Sequence, residues 1–362
     1  MRLTLGLSHH AWLRDADGLA AAHTLEVARA ADEAGIDAIW ASEDPEGWDA
    51  FAVLSAIAAV TSHALLGASV TNPYARHPNA LAASLATLDH LSGGRAALGI
   101  GRGQVEWHRD ALGVETGEPL RVLRETVALL RDWWTPPHVA SSPADGCLRV
   151  RDWERVVHPS QPHVPIYLAA AGPRALDLAG TDCDGVIFNM LTSHEALHDM
   201  IPRVRAAAAA AGRDPASLTF ILRTNAVVVD DPAAARKALA REKTLLALIA
   251  TLPGMEQLVR SEAFDVPAIL DRVGTAMRTS ETLAAGGGFP ALRRNGDLAA
   301  ARQAMPDDFI RQLAILGPLP EVRARLRGLA ELGVTHVGVD PPQNAASSDD
   351  WRRLLRDLGH RQ

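Results

Sequence analysis

The chain has 362 residues, of which 48% are hydrophobic and 22% charged, so its composition excludes a disordered or collagen-like protein. The formal net charge of −7 comes without a sustained basic block, which argues against a nucleic-acid partner. Two cysteines cannot form a disulfide framework, and no apolar run is long enough to cross a bilayer, so we expect a cytoplasmic protein without a membrane segment.

Short apolar strands alternate with longer helical periods along the chain. The eight predicted strands are, in chain order, 3–8, 38–41, 65–70, 96–100, 166–170, 185–188, 218–229 and 335–339. A helical period follows nearly every strand, and Gly35 stands where the first helix should end before the second strand. Eight βα units favour a (β/α)8 TIM barrel, and a doubly wound sheet with an appended helical domain is the alternative.

This βα rhythm breaks at residues 253–316, which contain a Pro-Gly pair, the glycine run 286–288 and Pro290. We interpret residues 253–316, called here the inserted segment, as a long insertion after strand seven. Because βα loops build the active face of a barrel, we expect the inserted segment to lie over the barrel mouth. The sequence therefore predicts one barrel domain over residues 1–362.

The pattern H-E-x-x-H at residues 194–198 matches the helix that places two histidines on one face in zinc proteases. The same stretch is also a helix capping box, with Thr192 as N-cap and Glu195 as its acidic member. No third ligand follows nearby, so we predict no metal site. A zinc hydrolase using His194 and His198 is retained as the alternative from another functional class.

Two glycine-containing turns follow predicted strands on the side where a barrel has its active mouth. The glycine loop, residues 101–103 (Gly-Arg-Gly), follows the fourth strand but lacks the spacing of a dinucleotide fingerprint. The phosphate turn, residues 171–175, follows the fifth strand and opens a helix, with Pro173 at the first helical position and Arg174 beside it. Free N–H groups at a helix N-terminus bind anions, so this turn is a candidate phosphate site.

The stretch 69–78 after the third strand holds Thr, Asn, Tyr, Arg and His within ten residues. A purely structural turn rarely concentrates so many polar groups, although Asn-Pro turn chemistry with a helix start at Pro78 is the alternative interpretation. Glu43 and Asp44 follow the second strand, and His9 follows the first. Carboxylates and imidazoles at these strand ends are candidate acids and bases.

Taken in order, these motifs resemble the luciferase-like superfamily of flavin and deazaflavin oxidoreductases over almost the whole chain. Residues 71–78 (TNPYARHP) resemble the methylenetetrahydromethanopterin reductase branch in particular. Further similar stretches are the third helix, the fourth strand, the phosphate-binding turn and the last helix of the family, at residues 88–95, 98–101, 165–175 and 316–322. The resemblance is weakest across the inserted segment.

This resemblance implies a (β/α)8 barrel that binds coenzyme F-420, a deazaflavin, or alternatively FMN at its mouth. In the coenzyme F-420 branch a cis peptide in a bulge of the third strand backs the cofactor ring, and here that bond would join Ser69 to Val70. The residues expected to bind the cofactor are Ser69, Val70, Thr71, Asn72, Gly101, Arg102, Gly103, Ala171, Gly172, Pro173, Arg174 and Ala175.

The resemblance does not identify the proton donor. The sugar-phosphate dehydrogenase branch has an Asp-His pair after the second strand, where this chain has Glu43 and Asp44. That branch also has a Glu after the glycines of the fourth strand, where this chain has Gln104. The candidate proton donors are therefore Asp44 first, then Glu43, Glu106 and His9, and Gln104 is kept as a further candidate catalytic residue.

We thus predict a cytoplasmic coenzyme F-420-dependent oxidoreductase that transfers a hydride to or from a small organic substrate. Family resemblance further implies a homodimer or a higher homo-oligomer. An FMN-dependent monooxygenase of the same fold and a non-catalytic cofactor-binding barrel are the alternatives. Residues 104–118 and the inserted segment are expected to shape the substrate pocket.

Overall fold

A computed structural model of the protein describes residues 1–7, 20–250, 252 and 254–360. Eight parallel strands close into a barrel in the order β1-β2-β3-β4-β7-β8-β9-β11, and β11 pairs back onto β1. The barrel strands are β1 (Arg2–Leu7), β2 (Ala38–Ala41), β3 (Leu65–Thr71), β4 (Ala96–Ile100), β7 (Ile166–Ala169), β8 (Gly185–Phe188), β9 (Thr219–Val228) and β11 (His336–Val339). The predicted TIM barrel and its eight strands are confirmed.

Helices pack on the outside of this barrel and between consecutive strands. The helices are α1 (Ala20–Glu33), α2 (Ala50–Ala58), α3 (Pro78–Ser92), α4 (Pro119–Trp134), α5 (Pro173–Asp182), α6 (His194–Ala210), α7 (Pro232–Ala250), α8 (Val266–Ala276), α9 (Thr279–Ala284), α10 (Phe289–Asn295), α11 (Leu298–Ala304), α12 (Asp307–Leu313), α13 (Leu319–Leu332) and α14 (Ser348–Asp357). A short helical turn (Val105–Trp107) and a π-helix (His108–Leu112) lie between β4 and α4.

Three short strands were not predicted. The pair β5 (Val139–Ala140) and β6 (Trp153–Glu154) forms a small antiparallel hairpin within the Pro- and Ser-rich stretch before β7. The strand β10 (Ile315–Gly317) pairs in parallel with the end of β9, outside the ring of eight. Strands of two or three residues are too short to show the alternation of apolar and polar side chains by which strands are recognised in a sequence.

Large side chains fill the lower part of the barrel and leave the upper part open. Trp40, Tyr167, Ile187 and Ile221 pack together inside the ring, with the rings of Trp40 and Tyr167 edge to face at 6.0 Å. Gly67 makes room for this packing, because a Cβ there would lie 2.5 Å from the Trp40 ring. The interior is thus solid at the strand centres, as expected for a barrel core.

The third strand ends in a bulge at residues 69–70, called here the β3 bulge. Pairing with β4 runs to Ala68 opposite Leu98 and resumes at Thr71 opposite Ile100, so β3 contains one extra residue. The Ser69–Val70 peptide bond is cis, as the family resemblance implied. A bulge re-aims the side chains that follow it, which here lie at the barrel mouth.

The region between β9 and α13 holds six helices in succession, α7 to α12, followed by β10. It begins directly after β9 and returns to it, because Val229 N donates to Gly317 O at 2.9 Å.

Within the described part of the chain, no helix combines the length and apolar character that crossing a bilayer requires.

The H-E-x-x-H stretch starts helix α6. Ser193, not Thr192, is its N-cap, so the predicted cap position was wrong by one residue; the Ser193 hydroxyl accepts from Ala196 N at 3.2 Å. His198 is exposed, and its Nδ1 lies 3.5 Å from Oδ1 of Asp199. In residues 1–7, 20–250, 252 and 254–360, no three His, Cys, Asp or Glu side chains converge as metal ligands would.

Candidate active site

A cavity of about 1880 Å³ opens at the carboxyl ends of the barrel strands. Apart from Glu106, its walls include every described residue that the sequence analysis proposed for catalysis or cofactor binding. These are Glu43, Asp44, Ser69, Val70, Thr71, Asn72, Gly101, Arg102, Gly103, Gln104, Ala171, Gly172, Pro173, Arg174 and Ala175. His9 lies outside the described residues. The cavity is larger than a typical pocket for one drug-sized ligand, so it has room for a cofactor and a substrate together.

Two buried hydroxyl groups, one on the β3 bulge and one directly after it, lack hydrogen-bond partners among the described residues. Ser69 and Thr71 are 1% and 0% exposed, and neither Ser69 Oγ nor Thr71 Oγ1 has a partner among the described residues. Buried polar groups without partners are rare because desolvation is unfavourable unless a hydrogen bond replaces the lost water. A ligand whose polar atoms face the β3 bulge would satisfy both hydroxyls, and the polar edge of a flavin or deazaflavin ring is such a ligand.

Asn72 has a local structural role at the same strand end. Its Oδ1 accepts from Tyr74 N at 3.0 Å and from Ala75 N at 2.8 Å, which is the geometry of an Asx turn. The Asn-Pro interpretation made from the sequence therefore holds for Asn72 itself. The residue still lines the cavity, and its Nδ2 lies 3.2 Å from the position of a Cβ at Gly103 in the glycine loop.

The glycine loop lies close against the β3 bulge. Gly101 N donates to Thr71 O at 2.9 Å, which ties the end of β4 to the bulge. A Cβ at Gly101 would lie 3.2 Å from both Val70 and Ala169 and would narrow the cavity between them. Gly103 has a φ of 67° and leaves no room for a Cβ beside the imidazole of His108. Gly103 is therefore required by its backbone conformation and close packing, whereas a side chain at Gly101 would need only small shifts of Val70 and Ala169.

The phosphate turn presents the N-terminus of α5 to the cavity. Gly172 is the N-cap and provides no side-chain cap, and Pro173 occupies the first helical turn. Arg174 is exposed beside it. Gln257 of the inserted segment approaches from the other side, with its Oε1 3.2 Å from the position of a Cβ at Gly172. An uncapped helix N-terminus with an adjacent arginine is a favourable environment for a phosphate group.

Among the candidate acids, Glu43 forms an ion pair with Arg76. Its Oε1 accepts from Arg76 Nε at 2.7 Å, and the same guanidinium contacts Asp49 at 2.7 Å and stacks over the Phe51 ring. Burial alone would lower the pKa of Arg76, but the carboxylates of Asp49 and Glu43 outweigh it and raise that pKa. This arrangement anchors the loop after β2, while the other carboxylate oxygen of Glu43, Oε2, is buried without a hydrogen-bond partner among the described residues.

Asp44 and Gln104 also face the cavity. The carboxylate of Asp44 acts electrostatically on the guanidinium of Arg223, which places these two groups in the same part of the site. Gln104 is half-buried and stands at the start of the short helical turn after the glycine loop, where it provides no cap. An amide does not exchange protons near neutral pH, so Gln104 can only orient a ligand.

Arg223, which projects from β9 into the cavity, was not predicted from the sequence. Its Nη1 donates to the Ser69 carbonyl and its Nη2 lies 3.4 Å from Ser42 Oγ. Burial lowers its pKa, and the nearby Asp44 carboxylate opposes that effect. A signal was present in the sequence, because an arginine, the one charged residue of Thr219–Val228, stands at an inward position two residues after Ile221 of the barrel core.

A second charged group on the cavity wall was also not predicted. Arg241 on α7 contacts Asp340, after β11, at 2.9 Å and Glu242 at 3.3 Å. Burial raises the pKa of Glu242, while Arg241 partly opposes that shift. The inserted segment adds Phe289 to the wall, and its ring lies 5.1 Å from that of Trp107.

TIM-barrel enzymes typically have their cavity at the carboxyl ends of a closed ring of parallel strands, often with a βα turn suited to phosphate. This structure has both features. The family model for luciferase-like monooxygenases matches residues 1–336, and the chain belongs to this family.

Individual relatives agree with this assignment. The chain is 28% identical to 5,10-methylenetetrahydromethanopterin reductase of Methanolobus tindarius over 316 residues, 87% of this chain and 89% of that protein. It is 33% identical to the F-420-dependent glucose-6-phosphate dehydrogenase of Kineococcus radiotolerans over 218 residues, 57% of this chain and 64% of that protein. The solved coenzyme F-420-dependent tetrahydromethanopterin reductase of Methanopyrus kandleri has the same fold, with a TM-score of 0.74 at 22% identity, covering 97% and 96% of the two chains.

Proposed function

We propose that this protein is a coenzyme F-420-dependent oxidoreductase that transfers a hydride to or from a small organic substrate. The observation that carries the proposal is the combination of two features in one cavity. The buried hydroxyls of Ser69 and Thr71 have no partner among the described residues, and the N-terminus of α5 has no side-chain cap. The first suits a polar ring edge and the second a phosphate. Relatives of 28–33% identity whose names include a reductase and an F-420-dependent dehydrogenase support it.

In this proposal, residues of three strand ends hold the deazaflavin. Ser69 and Thr71 donate to or accept from its polar ring edge, and Val70 supports one face of the ring. The glycine loop leaves room beside Val70, with Arg102 at its centre, and the phosphate turn binds the phosphate. When bound, a deazaflavin supplies two-electron hydride chemistry, and the protein positions it.

Proton transfer is assigned to Asp44. Glu43 is held by Arg76 and serves to fix the loop on which Asp44 stands. Gln104 orients the substrate by hydrogen bonding. The inserted segment contributes Gln257 and Phe289 to the cavity wall and would thereby cover the mouth of a single barrel domain. His9 remains a candidate from the sequence alone.

We extend the proposal to the state of the protein in the cell. Family resemblance favours a homodimer or a higher homo-oligomer, and the net charge of −7 favours a small-molecule substrate over nucleic acid. The cysteine content favours the cytoplasm. Light scattering on the purified protein would test the oligomeric state, and a monomer would contradict that part of the proposal.

Titration of the purified protein with coenzyme F-420 and, separately, with FMN tests the central assignment. We expect saturable quenching of deazaflavin fluorescence at micromolar concentrations and weaker binding of FMN. The second candidate, an FMN-dependent monooxygenase, is favoured by the family to which the chain belongs. It predicts the reverse affinity order and oxygen uptake with an added flavin reductase. If the protein binds no deazaflavin at micromolar levels, the central assignment is wrong.

A further inference from the structure

Arg223 places a guanidinium group on the floor of the cavity, where the surrounding residues are small. Its Nη1 donates to the carbonyl of Ser69 on the β3 bulge, and its Nη2 lies 3.4 Å from Ser42 Oγ after β2. The same Nη2 lies 4.0 Å from the position of a Cβ at Gly6 on β1. The side chain therefore reaches from β9 across the barrel interior toward β1, β2 and β3, above the aromatic core.

The Arg223 guanidinium has more hydrogen-bond donors than its contacts with described residues use. A guanidinium carries five N–H groups, and two hydrogen bonds to neutral oxygens account for two of them. Among the described residues, no carboxylate lies within 4.0 Å of Arg223, although the charge of Asp44 acts on it from further away. A charge withdrawn from bulk water without a close counter-charge is unfavourable, so a ligand that brings negative charge to this point would be stabilised there.

The position of Arg223 indicates which ligand atom it meets. The Ser69 carbonyl to which it donates belongs to the β3 bulge, against which the cofactor ring rests in the proposed function. A group that contacts Arg223 is therefore close to the bulge and to the ring that rests on it in the proposed function. Asp44, the assigned proton donor, lies in the same part of the cavity. A developing oxyanion would thus have a cationic hydrogen-bond donor and a proton source side by side.

We propose that Arg223 is a catalytic residue that binds the reacting oxygen of the substrate, a ketone or aldehyde in the oxidised form and an alcohol in the reduced form. This inference rests on the proposed deazaflavin function and adds a substrate class to it. It also explains how the site can work with Gln104, because Arg223 stabilises the charge that forms before the proton arrives.

The step balances as a two-electron reduction. The carbonyl carbon accepts a hydride, with its electron pair, from the reduced deazaflavin, and a C–H bond forms as the ring C–H bond breaks. The carbonyl π electrons move to oxygen, where Arg223 stabilises them, and the oxygen takes a proton delivered through Asp44. The oxidised ring releases one proton, so two electrons and two protons pass to the substrate in total.

The variants Arg223→Gln and Arg223→Lys test this inference, with Arg327→Gln on the exposed face of α13 as a charge-matched control. Three quantities are measured on each protein. They are the dissociation constant of coenzyme F-420 by fluorescence, the binding of acetate to the F-420-loaded protein by calorimetry at constant ionic strength, and turnover with acetone, cyclohexanone, benzaldehyde and glyceraldehyde. Acetate serves as a stable mimic of the oxyanion.

We expect Arg223→Gln to retain F-420 affinity and to lose acetate binding at least tenfold. Its turnover with any carbonyl that the wild type reduces should fall by about 10²–10³-fold, as when an oxyanion donor is removed. Arg223→Lys, which keeps the charge, should lie between it and the wild type, and it remains informative if Arg223→Gln does not fold. Arg327→Gln should match the wild type in all three measurements.

Several results would overturn the inference. Equal acetate binding in Arg223→Gln and the wild type would show that the guanidinium meets no substrate oxygen. A tenfold or greater loss of F-420 affinity in both Arg223 variants would assign the charge to the cofactor ring instead. Failure of the wild type to reduce any of the four carbonyls would reject the substrate class. By contrast, a wild type that binds no F-420 would reject the proposed function itself.

Discussion

Replacing Thr71 by valine should have opposite effects on the ligand-free protein and on cofactor binding. Its side chain is fully buried and its hydroxyl has no partner among the described residues. Such a group destabilises a folded protein by about 1–3 kcal/mol, because it has lost water without gaining a hydrogen bond. Valine keeps the branched shape and removes the hydroxyl. The free energy of unfolding of the ligand-free protein should therefore rise by about 1 kcal/mol.

In the proposed cofactor complex the same change would remove a hydrogen bond to the ring. A net loss of about 0.5–1.5 kcal/mol corresponds to a dissociation constant for coenzyme F-420 that is about 2- to 13-fold higher. Urea unfolding of the ligand-free protein and fluorescence titration measure the two effects. The matched control is Thr126→Val, since that buried hydroxyl donates to Val122 O at 2.7 Å and should give no gain in stability and no change in affinity. Lower stability of Thr71→Val, or an unchanged affinity, would refute the reasoning.

Three further predictions concern other parts of the molecule. Arg174→Glu should lower the affinity for phosphate-bearing cofactors about tenfold, because it reverses the charge at a helix N-terminus. The melting temperature and the affinity for the phosphate-free chromophore should stay unchanged, because Arg174 is exposed. An equal loss of affinity for both ligands would mean that the phosphate binds elsewhere. Gly101→Val should reduce cofactor affinity more than tenfold with an unaltered circular dichroism spectrum, since its side chain would fill the space beside Val70; unchanged affinity would mean that the ring lies elsewhere. Burial would raise the pKa of Asp32, but hydrogen bonds from the backbone N–H groups of residues 62–64 outweigh it and lower that pKa below 3.8. The stabilisation of the folded protein by the Asp32 carboxylate is therefore complete above pH 3.8 and is lost as pH falls through the lowered pKa. Asp32→Asn should reduce the free energy of unfolding in urea by about 2 kcal/mol at pH 7 and should not change it at the acid end of the pH range. An equal reduction at both ends of the pH range would contradict this direction of the pH dependence.

The barrel could be predicted from the sequence because each parallel strand is buried on both sides. Strands such as Ala96–Ile100 are then continuous apolar runs, and the glycine that ends a helix marks where the next strand begins. The strand ends could be predicted as the site for the same reason, since polar residues directly after such runs must lie at one rim. The glycine loop and the phosphate turn both follow apolar runs of this kind, so their place at the cavity could be predicted from the sequence.

The part that could not be predicted depends on pairing between distant residues. The sequence shows Glu43 beside Asp44 as two equivalent carboxylates, and only folding brings Arg76 to the first of them. In the same way, Arg223 is a single charged residue in an apolar strand until the β3 bulge supplies the carbonyl that it contacts. Side-chain roles at this level follow from three-dimensional contacts that local patterns do not encode.

The return of β10 to the end of β9 bears on how this barrel can diversify. Because Val229 N reaches Gly317 O, the whole region between them is a closed excursion whose two ends meet at one point of the barrel. The entropic penalty of closing such an excursion grows only slowly, by about 0.6 kcal/mol for each doubling of its length. Large changes in length and composition can therefore accumulate there without affecting ring closure. A change of this kind would alter a wall of the cavity and leave the eight paired strands of the ring as they are.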